Sequence, residues 1–257
     1  MSATAVRVSP AWLDIREPAD AAARSDELAE RLARHLPATG PYVIHDLGGG
    51  SGSMGRWLAP RLPGPQHWVV HDRDPDLLEL ALAAAPPAVS VEARRSDITR
   101  LTPGDLAGAS AVVASALLDL LTADELAWML RACAGRPILL ALTVLGRVTL
   151  SPADPLDARI GAAFNAHQRR GGRLGPDAVA AAVRELGDVV VRPSPWRLDA
   201  ADAALAAEWL HGWVAAACEQ EPALAAEARA YRDRRLAQLV AGELSVTVDH
   251  ADLLVLS

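Results

Sequence analysis

The sequence predicts an α/β fold: a mostly parallel sheet of seven strands with helices on both faces, a helical preface and a late helical insertion. Three observations predict it. Short apolar runs alternate with helix-periodic segments between 41 and 146. A glycine-rich turn follows the first apolar run. About half the residues, 51%, are hydrophobic, enough for a sizeable core in 257 residues.

The elements follow in order. Apolar positions at helical spacing among Asp, Glu and Arg predict a preface helix over 18–36, ended by Pro37-Ala38-Thr39-Gly40-Pro41. The first strand is 42–47, then come the glycines and a helix over 54–62. A strand at 67–71, a helix at 75–85 and a strand at 89–93 continue the rhythm. A fourth strand at 111–115, a helix at 122–134 and a fifth strand at 138–144 complete the βα core. Helices at 155–170 and 176–186 flank Gly171-Gly172, and a sixth strand lies at 189–192. Two long helices at 201–217 and 222–241 form the insertion, before a final strand pair at 244–248 and 253–256. The chain reads as one domain: preface or lid at 1–40, core at 41–146, and an acceptor-side half at 147–257 with its insertion at about 200–241.

Composition excludes several functions. Net charge is −7, so no general basic footprint for nucleic acid exists. No apolar run is long enough for a membrane span, and the first ten residues lack signal-peptide features. Cys133 and Cys218 form neither a disulfide framework nor a metal knuckle, and a reduced, cytoplasmic protein without metal is expected. All 25 basic residues are arginine, which rules out a lysine Schiff base and a P-loop lysine.

The turn Asp46-Leu47-Gly48-Gly49-Gly50-Ser51-Gly52 leaves a strand and enters a helix. Glycines there let the backbone turn sharply and approach a ligand. Gly50, Gly52 and Gly55 also satisfy the G-x-G-x-x-G fingerprint of dinucleotide enzymes, so a nicotinamide-dependent oxidoreductase is the alternative. Register favours a different ligand, because the strand ends at Leu47 and places Asp46 at its exit. An acid there suits an ammonium and a sulfonium better than a pyrophosphate. Asp72 closes the second strand, where its oxygens can accept from two ribose hydroxyls. Asp97-Ile98 follows the third, an acid for an adenine amino group and an apolar cover for its ring.

In this order the motifs resemble those of class I, Rossmann-like S-adenosylmethionine-dependent methyltransferases, over about 40–145 and more loosely the last strands. The resemblance implies that Asp46, Gly48, Gly49, Gly50 and Gly52 meet the amino acid part of S-adenosylmethionine. It implies that Asp72 holds the ribose, that Asp97 and Ile98 hold adenine, that Arg73 is a further cofactor-binding residue, and that Ser115 lies near the reacting end. S-adenosylhomocysteine would be the product. Gly49 and Ser51 stand where the family often has cysteine, or another small residue, and threonine.

A small-molecule acceptor is expected, methylated at O, N or C. The segment after the fourth strand lacks the Asn/Asp-Pro-Pro-aromatic signature of enzymes that methylate nucleobase or glutamine amides. Asp119 in that segment could orient an amine or take a proton. Ile160, Phe164 and His167 share a helical face, which makes His167 the histidine placed to act as a base. Trp12, Phe164, Trp196, Trp209 and Trp213 are the aromatic residues expected to wall the acceptor pocket. Arg24 in the preface is a further expectation, pairing with the cofactor carboxylate. The arginines at 229, 232, 234 and 235 read as a solvated helix face. A non-methylating protein that keeps the cofactor pocket as a partner subunit is the remaining alternative.

Overall fold

The computed structural model describes residues 8–87 and 89–256. Its centre is an 8-stranded sheet in the order β3-β2-β1-β4-β5-β8-β6, with β7 paired to β8. The parallel strands are β1 (Tyr42–Leu47), β2 (Gln66–Asp72), β3 (Val89–Arg95), β4 (Ala111–Ser115) and β5 (Ile138–Ser151). β6 (Val190–Pro193), β7 (Trp196–Leu198) and β5 all pair antiparallel with β8 (Ser245–Val255). The order reverses between β1 and β4, so a crevice opens beyond the carboxyl ends of those strands. Open α/β sheets bind ligands at such a switch point.

The preface is two helices rather than one: α1 (Pro10–Ala23) and α2 (Asp26–His35). Pro18 reads as a helix start because proline favours the first turn, yet it sits inside α1, and Pro10 occupies that first turn. The break at Arg24-Ser25 is chemical. The Ser25 hydroxyl accepts from the Leu28 amide at 3.3 Å and caps α2.

Six expected strands and a single strand in place of the expected final pair make seven, and β7 brings the sheet to eight. The polar Asp249-His250-Ala251-Asp252 stretch resembles a turn in sequence. In β8 the Asp252 carboxylate is buried and bridges two backbone donors, the Leu142 amide and the Ser25 amide, each at 2.8 Å. β5 runs on past its expected end to keep pace with β8, through bulges between Leu140 and Thr143 and between Val144 and Val148.

Helices cover both faces: α3 (Ser53–Leu58), α4 (Pro75–Ala83), α5 (Ala123–Cys133), α6 (Asp157–Gln168), α7 (Ala178–Leu186), α8 (Ala203–Gln220) and α9 (Ala225–Val240). A Thr122/Glu125 capping box starts α5, as the T-x-x-E spacing predicts. Two apolar clusters pack the sheet's faces, one with Ile44, Trp68 and Val113, the other with Leu47, Val112 and Leu140. A third joins α1, α6, α8, α9, β7 and the outer half of β8 around Trp209, Trp213 and Tyr231.

The arginines of α9 are not a uniformly solvated face. Arg235 is 1% exposed and donates to both oxygens of Asp157 at 2.6 and 2.7 Å. The Tyr231 hydroxyl donates to the same carboxylate at 2.6 Å, and Arg234 pairs with Asp154 at 2.8 Å. Helix α9 lays one side on the third core, so an arginine on that side must bring a buried partner.

Candidate functional site: the crevice at the glycine loop

The loop between β1 and α3 is held from both sides. The Gly49 amide donates to the His71 carbonyl at 3.0 Å, and the Gly52 amide closes the turn on Gly49 at 2.8 Å. Gly48 and Gly52 take left-handed backbone angles, with φ of +66° and +82°, which tax any residue with a Cβ. At Gly49 the reason is approach: a Cβ there would lie 2.7 Å from an oxygen of Asp46.

Asp46 lies beneath that loop with no exposed surface, and neither carboxylate oxygen has a hydrogen-bond partner among the described residues. Burial pushes its carboxyl up to about 7, against the opposing charge of Arg24, with Asp72 adding to the rise. A buried carboxylate without donors is costly, and a cationic ligand group is what would relieve it.

Asp72 ends β2 beside the loop. One of its oxygens accepts from the Gly50 amide at 3.0 Å and the other from the Asp74 amide at 2.9 Å. Each oxygen keeps a second lone pair for a ligand. Asp97 caps the 3-10 turn that contains Ile98: one oxygen accepts from the Thr99 amide at 3.0 Å and its hydroxyl at 2.6 Å, and from Arg73. Its other oxygen, 3.8 Å from Arg100, is the one left to meet a ligand. Ile98 is buried beside it. Arg73 therefore ties the loop after β2 to the loop after β3, a role not evident in sequence.

Behind the loop, the buried His45 and His71 rings share a hydrogen bond at 2.9 Å, and His71 meets the Ser96 hydroxyl at 2.9 Å. Burial lowers both imidazoles to about 4. Both are neutral at physiological pH and brace the ends of β1, β2 and β3.

Helix α1 lies across the crevice. Leu13 would sit 3.6 Å from a Cβ on Gly50. Glu17 pairs with Arg56 of α3 at 2.5 Å. Arg24, 4% exposed, donates to the Ser115 hydroxyl at 3.0 Å and the Ser53 hydroxyl at 3.2 Å. Its Nε has no partner among the described residues, and burial lowers its pKa while Asp20 and Asp46 hold it up. So the structure brings Arg24, Ser115, Asp46 and the glycine loop together.

The acceptor-side expectations divide. Asp119 stands after β4 with a buried, unpartnered Oδ1, and burial raises its pKa. Trp12 and Trp196 contact each other at 6.3 Å, with the Arg16 guanidinium 4.9 Å from the Trp196 ring centroid. Arg16 is anchored by Asp20, which also accepts from the Trp196 indole at 3.0 Å.

Trp209 and Trp213 stack at 5.1 Å inside the third cluster, 9% and 2% exposed, with Tyr231 against Trp213. Phe164 packs on that same cluster. Their helical spacing fits either a pocket or a core, and the cover of α9 makes it core. His167 lies in the last turn of α6 at the seam with α8, where its Nε2 meets Glu219 at 3.1 Å. Sequence reasoning missed His250, buried in β8 with an Nδ1 that has no partner among the described residues. The signal was the His-Ala-Asp break in an otherwise apolar end segment, which a turn also explains.

Among the described residues, no cluster of His, Cys, Asp and Glu could hold a metal ion, and no helix is long and apolar enough to cross a membrane.

No protein-family model matches the chain, and no curated protein matches it in sequence. Solved structures similar to it include a SAM-dependent methyltransferase from Geobacter sulfurreducens in complex with S-adenosyl-L-homocysteine. That pair shares 17% identity, covers 97% of this chain and 99% of the other, and has a TM-score of 0.47. A SAM-dependent methyltransferase from Thiobacillus denitrificans, in the same complex, has 16% identity, 98% and 100% coverage and a TM-score of 0.44. A cyclopropane synthase from Mycobacterium tuberculosis has 13% identity, 88% and 82% coverage and a TM-score of 0.45. At such identities the likeness concerns the fold. The strand order, with β1 to β5 parallel, makes the fold a Rossmann-like α/β arrangement.

Proposed function

We propose that this protein transfers a methyl group from S-adenosylmethionine to a small-molecule acceptor. The observation that carries the proposal is Asp46, a carboxylate buried under the glycine loop with both oxygens unpartnered. The glycine pattern alone fits two cofactors. Gly55 packs α3 against Trp68, as the third glycine of a dinucleotide fingerprint also packs its helix. A pyrophosphate beside Asp46 would put like charges together in a dry crevice, whereas an ammonium would complete an ion pair.

In this reading Gly48, Gly49, Gly50 and Gly52 cradle the amino acid end over Asp46, and Arg24 lies where the cofactor carboxylate would come. Asp72 takes the ribose hydroxyls, and Asp97 and Ile98 take adenine. When bound, the cofactor supplies a methyl group on a sulfonium, which is already a good leaving group. The protein's work is then alignment of an acceptor and exclusion of water, an effect worth about 7–11 kcal/mol in favourable cases. Helix α1 excludes water over Gly50, and Asp119, Trp12 and Trp196 border the acceptor side. The net charge of −7 favours a small acceptor over nucleic acid.

Calorimetry tests the proposal. S-adenosylhomocysteine is expected to bind and NADH not to bind. Asp46→Asn should weaken the homocysteine ligand about tenfold or more, because charge-assisted hydrogen bonds contribute about 1.5–3 kcal/mol. NADH binding with S-adenosylhomocysteine excluded would reverse the assignment.

A further inference from the structure

The return strand β8 carries chemistry above the glycine loop. Leu47, Ala114, Leu140 and Leu253 form one row across β1, β4, β5 and β8, at the carboxyl ends of the parallel strands. Further along, Thr143 faces Ala251 and Val144 faces His250. At about 3.3 Å per residue, His250 stands roughly 10 Å beyond that row. That is the side on which parallel sheets receive ligands.

His250 is 3% exposed, and its Nδ1 has no partner among the described residues. The Trp196 ring lies against it with centroids 5.2 Å apart, and Arg16 rests on Trp196 in turn. Helix α1, which carries Arg16, also puts Leu13 over Gly50 and Arg24 on Ser115, so a single helix spans the glycine loop and His250. Asp119 offers a second bare acceptor, its Oδ1, and the Arg16 charge acts on both Asp119 and His250.

Burial lowers the His250 imidazole to about 4, with Arg16 adding to the fall and Asp249 and the Val248 backbone opposing it. A neutral imidazole has one bare nitrogen, and Nδ1 is the ring nitrogen left here without a partner among the described residues. Buried lone pairs of this kind call for a donor.

We infer that His250 Nδ1 and Asp119 Oδ1 receive the N–H or O–H of the acceptor, so that the methyl group goes to a nitrogen or oxygen nucleophile rather than to carbon. The inference rests on the methyl-transfer reading above and narrows it. A hydrogen bond from the nucleophile fixes its orientation and leaves its own lone pair free to face the crevice.

Sinefungin, a cofactor analogue with an amine in place of the methylsulfonium, is the probe. Its N–H groups lie where the reacting groups meet. Calorimetry compares it with S-adenosylhomocysteine on the full chain, in wild type, His250→Phe and Asp119→Asn. Wild type should bind sinefungin at least tenfold tighter than S-adenosylhomocysteine. Each variant should lose at least fivefold in sinefungin affinity and keep S-adenosylhomocysteine within twofold. An unchanged sinefungin preference in His250→Phe, with S-adenosylhomocysteine still bound, overturns the assignment. Should that variant not fold, Asp119→Asn decides on the same criterion. S-adenosylhomocysteine failing to bind wild type is a different result: it removes the methyl-transfer reading and this inference with it.

Discussion

Two buried residue types in the crevice respond to pH in opposite directions. Asp46 has a folded-state pKa raised from 3.8 to about 7, chiefly by burial. The folded protein therefore keeps a proton that the unfolded chain releases, and the stability this contributes is lost as pH rises from about 4 through 7. An ammonium beside Asp46 favours the carboxylate. Binding S-adenosylhomocysteine at pH 6 should then expel a proton, read from calorimetry in buffers of different ionisation heat, and Asp46→Asn should abolish the release. His45 and His71 run the other way. Their pKa values fall from 6.5 to about 4, first through burial, so the unfolded chain takes up protons between those values and the folded one does not. Stability from this pair is complete above about pH 6.5 and is lost as pH falls toward 4. Thermal melts at pH 7.5, 5.5 and 4.5 should show that decline, and His45→Gln should make it shallower.

Among elements, the α6–α9 contact shows how a charged helix face becomes part of a core. Arg235 is buried on Asp157, and Tyr231 shares the same carboxylate. Removing one partner leaves the other charge desolvated, at a cost of about 3–5 kcal/mol. Asp157→Ala should therefore lower the melting temperature by about 6–20 °C, given roughly 2–4 °C per kcal/mol at this size. A shift within 2 °C would show that the pair is solvated after all. The same packing explains His167. In the last turn of α6 it meets Glu219 of α8, a partner that its helical spacing from Ile160 does not foretell.

At the scale of the whole molecule, Asp252 joins stretches far apart in sequence. It accepts from Ser25 at the head of α2 and from Leu142 at the bulge of β5, where φ is +55°. A positive φ on leucine is strained and persists only where its surroundings enforce it. Asp252→Ala leaves two buried amides unsatisfied, each costing about 1–3 kcal/mol. Its melting temperature should fall by several degrees. Amide exchange should rise at Leu142 and at the start of α2 more than in β1 to β3, and uniform exchange would argue against a local clasp.

The sequence by itself determined the βα alternation, the strand ending at Leu47, the glycine turn and the acids at 46, 72 and 97. These are local: period, turn chemistry and strand exits are written in neighbouring residues, and β1 and β4 begin and end where the pattern places them. Tertiary structure alone decided the unbroken run of β8, the two-helix preface, the core role of Trp209 and Trp213, and the places of Arg235 and His250. Each depends on what lies across space. A polar pair such as His250 and Asp252 reads as a turn until partners from β5, β7 and α2 are brought to it, and no spacing rule encodes partners a hundred residues away.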